Sequence, residues 1–383
     1  MWHAGSHSFL TAGPPLHAAN TVLLLVLAFL VSVVVTALSI RYHRLHMHLS
    51  ADHMDKPQAF HARPTARIGG LAIAVGLGAG FLGAAWLGRA DAALTLNLGL
   101  ALLPAFLAGF VEDLTKEVSP KWRLLLTAAA GVWAVWALGA TVPRLGLEWL
   151  DRWWGQWPWL GWALAVAAIA GLPHAVNLID GYNGLMGMVC LLMLAALGYV
   201  GFQVQDREYM LLVGIAAGAV GGFLLFNYPR GLIFAGDGGA YLMGALIALL
   251  TIVLVQRHPL VSPWFALLVV AYPVCETLFS VYRKLVRGQS PGMADALHIH
   301  QLIYRRIVVG IVGRGNEREI LRGNSKTSPY LWAMALLTVF PAMIFFSDTV
   351  ALIGCLTIFV AVYVWLYLRL VRFRTPRFLR PRR

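Results

Sequence analysis

The chain predicts an all-α polytopic integral membrane protein, and three observations carry that prediction. Of its 383 residues, 59% are hydrophobic and only 12% are charged, with a mean hydropathy of +0.72; a soluble domain carries roughly 25% charged residues. Apolar runs long enough to cross a hydrocarbon core of about 30 Å recur from Asn20 onward. Runs such as 21–40 and 351–368 are continuously apolar rather than alternating, which excludes a barrel of strands and leaves helices.

Taken in order, about eleven spans are expected (ten possible): 20–40, 68–88, 93–111, 122–142, 161–177, 185–204, 209–227, 239–256, 263–282, 329–346 and 350–368. No Lys or Arg precedes the first run, and Arg41 and Arg44 follow it. This reads as an uncleaved helix with its N-terminus outside, the reverse of a signal peptide. That threading puts 25 of the 30 Lys and Arg on the inner side and leaves only Arg89, Arg144, Arg152, Arg207 and Arg257 outside. The positive-inside rule turns the bias into an orientation. The outer stretch EWLDRWWGQWPWLGW (148–162) suits an aromatic belt or an interfacial helix. A single membrane domain over 1–383 is expected, with spans over about 20–368, a long cytoplasmic connection at 283–328 carrying structure of its own, and a basic cytoplasmic tail at 369–383.

Other classes are poorly supported. The net charge of +13 follows the membrane segments rather than forming one basic patch, so no nucleic-acid partner is expected. Cys190, Cys275 and Cys355 lie in apolar runs with no disulfide or zinc spacing. His43, His46, His48 and His53 crowd the first inner loop without a ligand pattern, and read as a solvated basic loop.

Polar residues gather instead at four stretches of the inner face: HARPTARIGG (61–70), FVEDLTKEVSPKWRLL (110–125), HAVNLIDGYNGLMG (174–187) and FAGDGGAY (234–241). ADALHIHQLIYRR (294–306) follows in the long connection. Each alone is readily a helix cap or stop. Together they suit a diphosphate with a divalent cation, since Mg²⁺ takes one or two carboxylates plus phosphate oxygens, making Asp113, Asp180 and Asp237 the candidate ligands. The glycines around Asp237 would let backbone N–H groups approach an anion at the start of the next span. His298 and His300 would share a side only in an extended loop or strand. Glu276, inside a span, is read as a supporting group facing an inner cavity.

In these stretches and their order the chain resembles the polyprenyl-phosphate N-acetylhexosamine-1-phosphate transferases, the membrane family that includes the MraY and WecA enzymes. The matching pieces are HARPTARIGG, the acidic pair of GFVEDLTKEVSPKWRLL, NLIDGYNGL, GDGGAYLMG and HIH, over residues 55–305. The resemblance implies transfer of a sugar 1-phosphate, N-acetylhexosamine 1-phosphate by expectation, from a UDP-sugar to undecaprenyl (polyprenyl) phosphate. UMP is released at a cytoplasmic-face site holding Mg²⁺ or Mn²⁺, in a plasma-membrane homodimer that starts a cell-surface polysaccharide. By position it implies Asp237 and Asp113 as metal ligands, and Asp113, Glu112 and Asp180 as catalytic groups. Substrate contacts are implied at His61, Thr65, Arg67, Asn177, Asn183, His298 and His300. Two features depart from the family pattern: Glu112 stands where an Asp is usual, and Gln301 follows the HIH. The absent triple His points to the WecA-type branch rather than to a muramoyl-pentapeptide substrate. A secondary transporter with a polar inner vestibule is the competing class.

Overall fold

The computed structural model describes residues 16–42, 65–290, 297–313 and 316–373; His61 and the four loop histidines lie outside the described residues. The described chain runs through α1 (Leu16–Arg41), α2 (Gly69–Trp86), α3 (Ala92–Thr115), α4 (Pro120–Leu138), α5 (Glu148–Trp154), α6 (Pro158–Ile179), α7 (Leu185–Gln203) and α8 (Arg207–Asn227). It continues through α9 (Gly236–Arg257), α10 (Pro263–Val269), α11 (Ala271–Val286), α12 (Ile299–Ile303), a π-turn at Tyr304–Val308, α13 (Val309–Val312), α14 (Glu317–Ile344) and α15 (Thr349–Val371). Among the described residues nine helices are long and apolar enough to cross a membrane, or ten with the bent pair α10–α11 counted as one.

Every expected run is helical, with three adjustments. The run 122–142 is α4, which falls outside those nine; Lys121 and Arg123 stand in its first turn. The run 263–282 is broken, turning by 71° between α10 and α11. Pro273 explains the break, because its ring would clash with the carbonyl of Val269 four residues back, where α10 ends. The expected span 329–346 is the second half of α14, which starts at Glu317 after Asn316 caps it by accepting the Glu319 N–H at 3.0 Å. Much of the long connection is therefore helix. On the opposite side, α5 leaves Trp149 and Trp153 exposed, as an interfacial segment requires.

The core is organised around α9, which is buried along nearly its whole length between α2, α3, α6 and α7, while α1 packs on α2 and α8. Lipid is as apolar as Leu, so helices associate in it through close packing, and small residues permit the closest approach. A Cβ on Gly109 of α3 would stand 2.2 Å from the Asp237 carbonyl carbon, and one on Gly70 of α2 would stand 2.2 Å from the Gly239 nitrogen. On the far side of α9, a Cβ on Gly244 would stand 2.5 Å from the Pro173 Cα. Backbone, not flexible side chain, occupies each of these places.

These contacts predict a contrast within one helix. Gly109→Ala should lower the thermal stability of the detergent-solubilised protein by several degrees. Gly99→Ala, whose Cβ meets nothing within 4 Å, should leave it unchanged. Equal melting curves for both variants would contradict the close packing of α3 on α9.

Candidate active site

The polar stretches converge at one end of the bundle, around the first turn of α9. Gly236 opens that helix at φ +70, where a Cβ would stand 2.1 Å from the Arg67 carbonyl oxygen and 2.4 Å from Asp113 Oδ2. Glycine is thus required by both the backbone angle and the space. The entering strand of backbone is tied to 66–70: the Phe234 N–H donates to the Ala66 carbonyl at 2.9 Å, and the Gly69 and Gly70 N–H groups donate to the carbonyls of Phe234 and Ala235, both at 2.8 Å.

Asp113, 1% exposed near the end of α3, caps α9. Its Oδ1 accepts the Asp237 N–H at 3.0 Å and its Oδ2 the Gly238 N–H at 2.8 Å. The sequence suggested that these N–H groups form an open anion cradle. They are instead filled by the protein's own carboxylate, and the neighbouring glycines serve close packing. Asp237 projects from the same turn between two guanidinium groups: Arg67 Nη2 meets Oδ1 and Arg123 Nη1 meets Oδ2, each at 2.8 Å. Arg67 Nε also stands 3.7 Å from Asp113 Oδ1. Two carboxylates and two arginines thus form one partly buried cluster.

Asp180 ends α6 and begins the knot that separates α6 from α7. No hydrogen bond or ion pair engages its carboxylate among the described residues. Burial pushes that carboxyl up to about 7, with Arg67 pulling it down and Asp237 pushing it up. A carboxyl in that state gains by taking a proton or a cation. His300 approaches from the other side: its Nε2 would be 3.4 Å from a Cβ on Gly181, and its ring packs edge-on to Tyr182 at 5.5 Å between centroids. His174, in α6, lies 3.2 Å by Nδ1 from the Tyr241 hydroxyl and 3.4 Å by Nε2 from Thr127 Oγ1.

The expected site residues therefore divide. Arg67, Asp113, Asp180, Asp237 and His300 are brought together, and Thr65 lies two residues from Arg67. Glu112 points to the α3–α4 loop, where its Oε2 accepts the Val118 N–H at 2.8 Å, so its extra methylene serves a turn. Asn183 is buried and acts as a latch: its N–H donates to Asn324 Oδ1 (2.7 Å), its Nδ2 to the Pro229 carbonyl (3.1 Å) and Ser325 Oγ (3.2 Å), and its carbonyl accepts from Ser328 Oγ (2.6 Å). Asn177 is half-buried and accepts the Asp180 N–H at 3.1 Å through its carbonyl. His298 alone is extended, at φ −66 and ψ 149, because it caps α12, whose first turn contains His300. The implied loop or strand is in fact a helix entry.

Sequence reasoning singled out neither Arg123 nor the polar face of α14. Arg123 stood inside the quoted SPKWRLL, and a cation in the first turn of a helix, where the macrodipole disfavours it, was the signal. The run GNSKTS closes the long connection; only its place in α14 turns Asn324, Ser325 and Ser328 toward Asn183.

Residues 95–255 match the sequence family described as Glycosyl transferase family 4. A probable undecaprenyl-phosphate N-acetylglucosaminyl 1-phosphate transferase of Bacillus subtilis is 24% identical over 72% of this chain and 76% of its own length. The chain is similar in sequence to these transferases. An undecaprenyl-phosphate alpha-N-acetylglucosaminyl 1-phosphate transferase of Escherichia coli is 28% identical over 49% of this chain and 53% of its own. A phospho-N-acetylmuramoyl-pentapeptide-transferase of Streptococcus equi is 28% identical over 44% and 49%. The matched region thus spans about half the length of the latter two relatives. The matched family region carries Asp113, Arg123, Asp180 and Asp237, whereas Arg67 and the two histidines lie outside it.

The state of Asp180 has a measurable sign. Burial pushes its carboxyl from the ordinary 3.8 up to about 7, so ionisation costs stability that grows as pH rises from about 4 to 7 and then levels off. With divalent ions chelated, Asp180→Asn should raise the melting temperature more at pH 8 than at pH 5. A larger gain at pH 5 would contradict the assigned environment.

Proposed function

We propose that the chain transfers a sugar 1-phosphate from a UDP-N-acetylhexosamine, or a deoxy relative, to polyprenyl phosphate, releasing UMP and starting a cell-surface polysaccharide. The observation that carries the reading is the cluster of Arg67, Arg123, Asp113 and Asp237 beside Asp180 at one end of the spans, in a relative of enzymes named for this transfer. A phosphate oxygen of the lipid attacks the β-phosphorus of the donor. The new P–O bond forms as the bond from that phosphorus to the bridging oxygen breaks, and UMP leaves.

Positioning and charge neutralisation carry most of such a reaction. Arg67 and Arg123 supply planar donors suited to phosphate oxygens. A lipid phosphate monoester is mostly dianionic at neutral pH, its second pKa being about 6, so a general base contributes little. Among the described residues no group of three His, Cys, Asp or Glu side chains could hold a metal alone. The donor chemistry fits a hard cation that takes one or two carboxylates and completes its shell with phosphate and water. Asp237 and Asp180 would hold Mg²⁺, with Mn²⁺ as substitute, while Asp113, both of whose oxygens accept N–H groups, aims Asp237. The cation would supply neutralisation of the diphosphate. Direct displacement and a covalent intermediate are both compatible with these residues.

A secondary transporter is not favoured, since carriers place substrate near the midplane on broken helices. Here the carboxylate cluster sits at helix ends. In the same reading the site faces the cytoplasm across the plasma membrane, the N-terminus lies outside, and the chain works as a homodimer. The dimer rests on the family resemblance alone.

Two measurements test the reading. Purified protein with undecaprenyl phosphate, Mg²⁺ and a panel of UDP-sugars should release UMP from a UDP-N-acetylhexosamine. Asp237→Asn should cut turnover at least about 100-fold with the protein still monodisperse; turnover of UDP-muramoyl-pentapeptide alone would assign the other branch. For orientation, a cysteine at exposed Ser290, after α11, should resist impermeant maleimide on intact cells and react in inverted vesicles. The opposite pattern would reverse the topology.

A further inference from the structure

Glu276 is fully buried in α11, where an unsatisfied charge costs several kcal/mol, and three polar groups surround it. Its Oε1 accepts the Ile299 N–H at 3.0 Å and lies 3.0 Å from His298 Nδ1; its Oε2 accepts the Tyr363 hydroxyl at 2.8 Å. With Glu276 ionised its oxygens only accept, and the 3.0 Å contact then requires a proton on Nδ1 of His298. His298 in turn lies nearly parallel to His300, with ring centroids 5.3 Å apart and planes 15° from coincident. His300 meets the knot at Gly181 and Tyr182. Tyr363 comes from α15, the last helix among the described residues, and is itself held by the rings of Phe279 and Phe359 at 5.7 and 6.3 Å.

We infer that Glu276 and Tyr363 are positioning residues for the transfer: they fix the ring orientation and proton placement of His298, so that His298 and His300 form a rigid plate against the Asp180 knot on the donor side of the site. The inference rests on the proposed transferase reading for its donor. Glu276, His298, His300 and Tyr363 lie outside the matched family region of 95–255, and Tyr363 ties α15 to the site. A cap for α12 alone would need only the Ile299 bond. The second oxygen's bond to Tyr363 and the His298 contact restrict the carboxylate's rotation, which is what orienting an imidazole demands.

The test uses the full-length protein in nanodiscs with isotope-labelled histidine, the His298 ring nitrogens being assigned by their loss in His298→Asn. Wild type should show a protonated Nδ1, and Glu276→Ala should lose that signature. Loss of a hydrogen bond to a charged group should raise the KM for UDP-N-acetylglucosamine about tenfold in Glu276→Ala and about threefold in the milder Tyr363→Phe, with the lipid KM changed less than about twofold. An unprotonated Nδ1 in wild type, or a rise in the lipid KM in place of the donor's, would overturn the inference. Should wild type use no UDP-sugar at all, the functional reading fails by itself, and the nitrogen resonances still decide the positioning claim.

Discussion

The capping of α9 by Asp113 is the interaction on which the rest of the structure depends. The first turn of a helix leaves N–H groups without partners, and here that turn is buried among neighbouring helices at one end of the bundle. Asp113 satisfies two of them from a neighbouring helix. The cap in turn fixes where Asp237 emerges, and Arg67 and Arg123 balance the two acids. Gly109 and Gly236 are required because the cap and its neighbours leave no room for a Cβ. Stability and site geometry therefore share the same atoms.

Behind this charged front stands a neutral frame. Asn183 is held by Asn324, Ser325 and Ser328 of α14, and the Gly184 carbonyl accepts from Trp332 Nε1 at 3.1 Å. The Gly184 N–H donates to Asn227 Oδ1 at 2.6 Å, and Asn227 Nδ2 donates to the Ile233 carbonyl at 2.8 Å. The knot is thereby bound both to the helix that follows the long connection and to the turn that leads into α9. Asp180 sits on a rigid mount without being engaged by it, which suits a group meant to meet a ligand.

The membrane explains why the buried carboxylate of Glu276 is so fully partnered. Glu276, with no water to solvate it, has its oxygens occupied by His298, Ile299 and Tyr363. Arg144, on the opposite face, gives its guanidinium to the carbonyls of Val255, His258, Pro259 and Val261, closing the C-terminal end of α9. Both ends of the central helix are thus satisfied by residues distant in sequence.

The sequence by itself determined the class, the positions of the apolar runs and the polar stretches that interrupt them. Those properties follow from local composition: a bilayer demands continuous apolar length, and Asp113, Asp180 and Asp237 interrupt it where little else does. Their partners were decided only by the tertiary structure. Asp113 and Glu112 are adjacent in sequence, yet the helical rotation of 100° between them sends one to the α9 cap and the other to the Val118 turn. Arg123 and Tyr363 lie 114 and 87 residues from the carboxylates they meet, and no local pattern encodes that pairing. Spacing along the chain locates a charge; only the packing of helices decides what neutralises it.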